Sequence, residues 1–128
     1  MILLWDSADM TVHVTFVDGD ARYEYEWQAG RELARDMLGY LRDRLTEHHT
    51  DLTGLEAIGV FRGPGSYTGL RIGLTVLNTL ASAKHIPIVG STGSGWQAEV
   101  LGRLANGEDD RIILPEYGGE ARITTPKK

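Results

Sequence analysis

Period-two alternation opens the chain. From Thr11 to Val17, Val12, Val14 and Phe16 alternate with His13 and Thr15, and from Arg22 to Trp27, Tyr23, Tyr25 and Trp27 alternate with Glu24 and Glu26. That period puts one set of side chains on a core face and the other in water. Asp18-Gly19-Asp20 between the two runs is a hairpin signal, so they form an antiparallel pair with one wet face. Ile2 to Trp5 is apolar throughout and reads as a buried strand, joined to the pair by a Ser7-Ala8-Asp9 turn.

From Gly30 to His48 the period becomes helical, with a stripe of Ala34, Met37, Leu38, Leu41 and Leu45 widened by Leu33 and Tyr40. A strand from Leu55 to Phe61, a glycine-rich loop, a helix from Thr68 to Lys84 and a strand from Ile86 to Val89 follow. A third helix begins near Gly95, carries Trp96, Val100, Leu101 and Leu104, and is stopped by Asn106-Gly107. Arg111 to Leu114 and Ala121 to Thr124 read as short strands, and residues 125–128 as a loose tail. This order predicts an α/β fold, a mixed five-stranded sheet flanked by helices, in a single domain spanning 1–128.

The helix from Thr68 has more apolar surface than one sheet requires. Leu70, Leu74, Leu77 and Ala81 form one stripe; Gly69, Ile72, Gly73, Val76, Leu80 and Ala83 form a second, about 130° away at 100° per residue. Two readings stand. The helix lies between its own sheet and the first helix, or the second stripe, with its Gly69-x-x-x-Gly73 spacing, meets helices of another chain. On the first helix, Arg31, Arg35 and Arg42 share one face, and Glu32, Asp36, Asp43 and Glu47 another. These are solvated faces or the polar rim of a partner seam.

Composition narrows the chemistry. The chain has 128 residues, 13 basic against 18 acidic, and a net charge of −5, which argues against this chain alone gripping nucleic acid. No cysteine is present, excluding disulfides, thiolate nucleophiles and cysteine-ligated zinc. The apolar start meets Asp6 too soon for a signal peptide, and no apolar run is long enough to span a bilayer. A cytoplasmic protein without membrane contact is expected. His13, His48, His49 and His85 show no ligand spacing, so no metal site is expected.

The densest signal is Gly63-Pro64-Gly65-Ser66-Tyr67-Thr68-Gly69-Leu70-Arg71-Ile72-Gly73, between a strand and a helix. Backbone N–H groups gather in such a place to meet an anion or another backbone. Glycine permits positive φ, proline fixes its own, and Thr68 or Ser66 is placed to cap the helix. Three phosphate or nucleophile patterns fail at named positions. Leu70-Arg71 stands where a Walker loop needs lysine and a hydroxyl residue, Thr68 where a dinucleotide fingerprint needs glycine, and Pro64 and Thr68 where a nucleophile elbow needs glycines. Asp6, ending the first strand, either caps its own turn or belongs to a magnesium and phosphate site.

The run GPGSYTGLRIG resembles the signature of the TsaB (YeaZ) family. Ile2-Leu3-Leu4-Trp5-Asp6-Ser7, Arg31-Glu32, Ile86 to Thr92 and, more faintly, Pro115 to Ala121 are similar to other stretches of that family. The resemblance implies an actin-like or ribonuclease-H-like lobe, with the second lobe of the family largely absent here. It also implies a non-catalytic scaffold that pairs with a TsaD-type catalytic paralogue through the first two helices. An ATPase subunit completes the complex, which transfers threonylcarbamoyl to tRNA adenosine, so tRNA is contacted only indirectly. ATP or ADP with magnesium belongs to the complex, with no cofactor assigned to this chain. The resting state is either a homodimer through the same face, since an open apolar seam would aggregate, or the heterodimer. The expected contacts are the loop Gly63, Pro64, Gly65, Ser66, Tyr67, Thr68 and Arg71, and a seam of Leu33, Met37, Tyr40, Leu41, Gly69, Ile72, Gly73, Val76 and Leu80. The alternative is a stand-alone nucleotide-binding or phosphotransfer domain using Asp6, the Ser7 turn and the loop.

Overall fold

The computed structural model describes residues 1–65 and 67–116. Five strands form one sheet: β1 (Ile2–Asp6), β2 (Thr11–Asp18), β3 (Ala21–Gln28), β4 (Ala57–Phe61) and β5 (Ile88–Ser91). Their order is β3-β2-β1-β4-β5. β1 and β3 each pair antiparallel to β2, while β4 pairs parallel to both β1 and β5. This is the mixed sheet the pattern predicts, with the strand order of a ribonuclease-H-like or actin-like lobe.

Among the described residues three helices cover it: α1 (Leu33–Glu47), α2 (Tyr67–Lys84) and α3 (Trp96–Ala105). Short 3₁₀ turns at Gly30–Glu32 and Leu52–Gly54 flank α1. Leu3, Trp5, Val12, Val14, Phe16, Ile58 and Val60 point to the face shared by α1 and α2, and with Leu33, Met37, Leu41, Leu45, Leu70, Leu74 and Leu77 they form the main core. The opposite face holds a smaller core of Leu4, Val89, Trp96 and Val100 under α3. Gly59 makes that layer close, since a Cβ there would stand 2.7 Å from Val100 Cγ2. Trp96 is a core residue, tilted against Phe61 at 5.9 Å.

The meander keeps most of its wet face, with His13, Glu24 and Glu26 exposed, but Thr15, expected on that face, is buried. Its aromatic face locks onto α1. Trp27 stacks on Tyr40 at 4.3 Å with nearly parallel rings, and Tyr23 lies 4.1 Å from the His48 ring. The Arg44 guanidinium sits 5.0 Å from the Tyr40 ring centroid.

Two expected strands differ. β5 starts at Ile88 rather than Ile86, because the Ile86 amide closes the last turn of α2 on Ala81 O and Pro87 has no N–H. Arg111 to Leu114 is not a strand. The β5 edge is already occupied by side chains, Ile88 N donating to Asp109 Oδ1 (3.1 Å) and Gly90 N to Asp110 Oδ2 (3.1 Å). The segment therefore leaves the sheet and turns onto α2, where Asn78 accepts from Ile113 N (2.8 Å) and donates to Ile113 O (2.9 Å). The expected strand at Ala121 to Thr124 and the tail lie outside the described residues.

Candidate functional site at the glycine loop and second helix

Each glycine of the loop has a physical reason. Gly63 adopts φ +123°, and its missing side chain leaves room for Glu116 O and for Leu70 Cδ2, which a Cβ would meet at 3.2 Å. A Cβ on Gly65 would strike Ala8, one on Gly69 would lie 2.8 Å from Ser7 O, and one on Gly73 would lie 2.5 Å from Trp5 Nε1. Gly65, Gly69 and Gly73, spaced by four, thus form a trough into which the β1–β2 turn is pressed. Ser7 is buried at its centre, accepting a hydrogen bond from Trp5 Nε1 (2.9 Å) and donating one to Gly69 O (2.9 Å). The close approach inferred from the Gly69-x-x-x-Gly73 spacing is real, but the backbone approached is the chain's own. α2 begins at Tyr67, so Thr68 lies inside its first turn rather than at the cap; Ser66 lies outside the described residues.

The two stripes of α2 separate as their angles require. Leu70, Leu74, Leu77 and Ala81 are buried against the sheet. Ile72, Val76 and Leu80 form a half-buried flank, and Thr68, Arg71, Thr75, Thr79, Ser82 and Ala83 are exposed. Arg71 makes no ion pair among the described residues, which leaves its guanidinium open to solvent.

On α1 the expected seam is corrected. Leu33, Met37 and Leu41 are at most 3% exposed and belong to the chain's own core, as does buried Gly73, so none of the four is available to another chain. Tyr40 is half-buried against Trp27. Leu38, read from sequence as part of the core stripe, is instead 44% exposed. The apolar surface left on the paired helices is Leu38 from α1 with Ile72, Val76 and Leu80 from α2, since Tyr40 lies about 160° round α1 from Leu38, at 100° per residue, and covers Trp27.

The charged helix faces are solvated. Arg35 bridges Glu32 (3.1 Å) and Asp36 (2.9 Å), and Arg42 pairs with Asp43 (3.4 Å), all of them exposed. Solvent screening leaves such pairs with little stabilising effect.

Asp6 stands at the end of β1, accepting from Ala8 N (3.0 Å) and opening onto a cavity of about 500 Å³ that His13, Glu24, Glu26 and Trp96 also line. Burial pushes its carboxyl above the usual range, against the lowering effect of the Ala8 amide and of His13. Among the described residues no group of three His, Asp or Glu side chains is disposed to hold a metal ion. Among them, too, no helix is long and apolar enough to cross a membrane.

Comparison with known proteins places this architecture. The family model for "TsaD: tRNA N6-adenosine threonylcarbamoyltransferase" matches residues 27–93, more than half of the chain. The Escherichia coli K12 protein named tRNA threonylcarbamoyladenosine biosynthesis protein TsaB is 37% identical over 73 residues, 57% of this chain and 31% of that one. The Bacillus subtilis 168 protein of the same name is 59% identical over 34 residues, 27% of this chain and 15% of its own. The solved structure of YeaZ from Pseudomonas aeruginosa superposes with a TM-score of 0.67 at 27% identity, covering 82% of this chain and 49% of that one. The match spans about a third of the Escherichia coli relative and half of the solved one. With the glycine run, the sheet order and the family model in agreement, the chain belongs to the TsaD family, as a member of its TsaB (YeaZ) branch.

Proposed function

We propose that this chain is a non-catalytic scaffolding subunit in tRNA threonylcarbamoyladenosine biosynthesis, docking on a TsaD-type catalytic paralogue through the outer flank of α1 and α2. The observation that carries the proposal is the second stripe of α2. Ile72, Val76 and Leu80 are half-buried beside exposed Leu38, although the first stripe already satisfies the sheet. Covering such a side chain fully contributes about 1 kcal/mol. A strip of these four therefore supports a helix-to-helix seam, with exposed Arg71 and Thr68 at its loop end as polar contacts. The names of the relatives give the pathway; an ATPase subunit and tRNA belong to the assembly rather than to this surface, and the same flank serves a homodimer when the paralogue is absent.

The stand-alone phosphotransfer reading has less to stand on. The glycines that would cradle a phosphate are filled by Ser7 and Ala8. Under that reading, millimolar ATP with magnesium raises the melting temperature of the isolated chain by mass action. Under the scaffold reading it does not, and the chain co-purifies with the paralogue. Failure to co-purify, together with an ATP-dependent stabilisation, would reverse the order of the two.

A further inference from the structure

We infer that Asn78 and Arg62 are positioning residues that tie residues 109–116 to the glycine loop, so that this strap sets the loop's conformation. The inference deepens the proposed function, since it rests on that loop flanking the docking surface.

The strap is held at four places by groups of different elements. At its start, Asp110 N donates to Ile88 O (2.8 Å), while Asp109 and Asp110 cap the β5 amides. Arg103 of α3 bonds Asp110, Glu108 (2.7 Å) and Gly90 O (3.1 Å). In the middle, Ile113 is buried, and both its backbone groups are taken by the one Asn78 side chain. Gly90 permits the crossing, as a Cβ there would stand 2.9 Å from Ile113 Cγ2. At the end, Arg62 Nε donates to Leu114 O (3.0 Å), and Glu116 N donates to Arg62 O (2.6 Å). Glu116 O then occupies the space beside Gly63, the first residue of the loop.

The geometry makes the coupling directional. Arg62 lies between β4, where its amide donates to Ser91 O (2.9 Å), and Gly63. The strap fixes Arg62 by its side chain and its carbonyl together. Asn78 is one helical face away from Leu70 and Leu77, so it holds the strap without contributing to the sheet core. Replacing Asn78 by leucine leaves a buried N–H and C=O of Ile113 unpaired, which costs far more than the loss of one exposed bond.

Hydrogen exchange on the isolated chain tests this. Asn78→Leu is expected to accelerate exchange by tenfold or more at the bonded amides of Ile113, Glu116 and, at the entry to the loop, Arg62, with the amides of β1 and β2 unchanged. Asn78→Asp, which keeps the acceptor for Ile113 N–H, is expected to restore part of that protection. Should Asn78→Leu fail to fold, Arg62→Gln on the half-exposed side chain gives the same readout at its own amide and at Glu116. Acceleration confined to 109–116, with the amide at position 62 unmoved in both variants, would overturn the inference, as would uniform acceleration across the sheet. Because no partner is present, the outcome is independent of whether the wild-type chain binds the paralogue, which separate co-purification decides.

Discussion

At the scale of single residues, glycine does the most specific work. The run Gly65, Gly69, Gly73 stands out in the sequence as permissive spacing, and its function as a trough for Ser7 and Ala8 depends on contacts with residues about sixty positions away. No local pattern announces such a contact, which explains why the spacing reads equally well as a seam for another chain. Gly73→Ala is expected to destabilise the chain by about 1–3 kcal/mol through overpacking on Trp5 and Ser7, measured by urea unfolding; an unchanged midpoint would mean the trough is slack. Asp6 gives the opposite sign. Its carboxyl is raised by burial, so the folded chain holds that proton more tightly than the unfolded one. Stability therefore falls as pH rises from the ordinary carboxylate value through the folded one. Asp6→Asn, which keeps the acceptor for Ala8 N–H, should raise the melting temperature at pH 7, with the gain shrinking as pH is lowered toward 4. A gain that grows on acidification would contradict the assignment.

At the scale of elements, periodicity gave strands and helices their type, and chain chemistry decided their ends. The β2–β3 hairpin alternates so strictly that its partners are readable: Val14 lies opposite Tyr25 and Phe16 opposite Tyr23. The segment from Arg111 to Leu114 alternates too, with Ile113 inward and Ile112 and Leu114 about two-thirds exposed. It fails as a strand because carboxylates have already filled the edge it would join, an arrangement that also blunts the edge against pairing with other chains. Burial works to raise the Asp110 carboxyl, but the Arg103 hydrogen bond, the Gly90 amide and the Arg103 and Arg62 charges together hold it below the usual range. Its contribution is thus present above the unfolded carboxylate value and lost as pH falls through the folded one. Asp110→Asn should destabilise the chain at pH 7 by about 1–2 kcal/mol, a difference that disappears in strong acid; persistence there would assign the loss to packing instead. On α2 the two stripes predict divergent outcomes. Leu77→Ala, in the core, should cost about 2–5 kcal/mol. Val76→Glu, on the flank, should cost under about 1 kcal/mol, as read by thermal unfolding.

At the scale of the whole molecule, the described residues place two helices on one face of the sheet and one on the other, with an apolar flank of α2 turned away from the sheet. The mixed sheet and its helices were legible because each element buries a full period of apolar residues. The proposed docking flank was legible only in part. The excess apolar width of α2 is a sequence property, but assigning Leu33, Met37 and Leu41 to the core and Leu38 to the surface requires knowing how α1 is rotated on the sheet. That rotation is set by the Trp27–Tyr40 stack and the Arg44 guanidinium over the Tyr25 ring, contacts between distant elements. The most direct measurement is light scattering on a size-exclusion column, with the purified chain mixed with its TsaD-type paralogue and compared with the Val76→Glu variant. The scaffold account predicts an equimolar complex for the wild type and two separate, folded components for the variant. Two unassociated proteins in the wild-type mixture, or a complex that survives Val76→Glu intact, would contradict it.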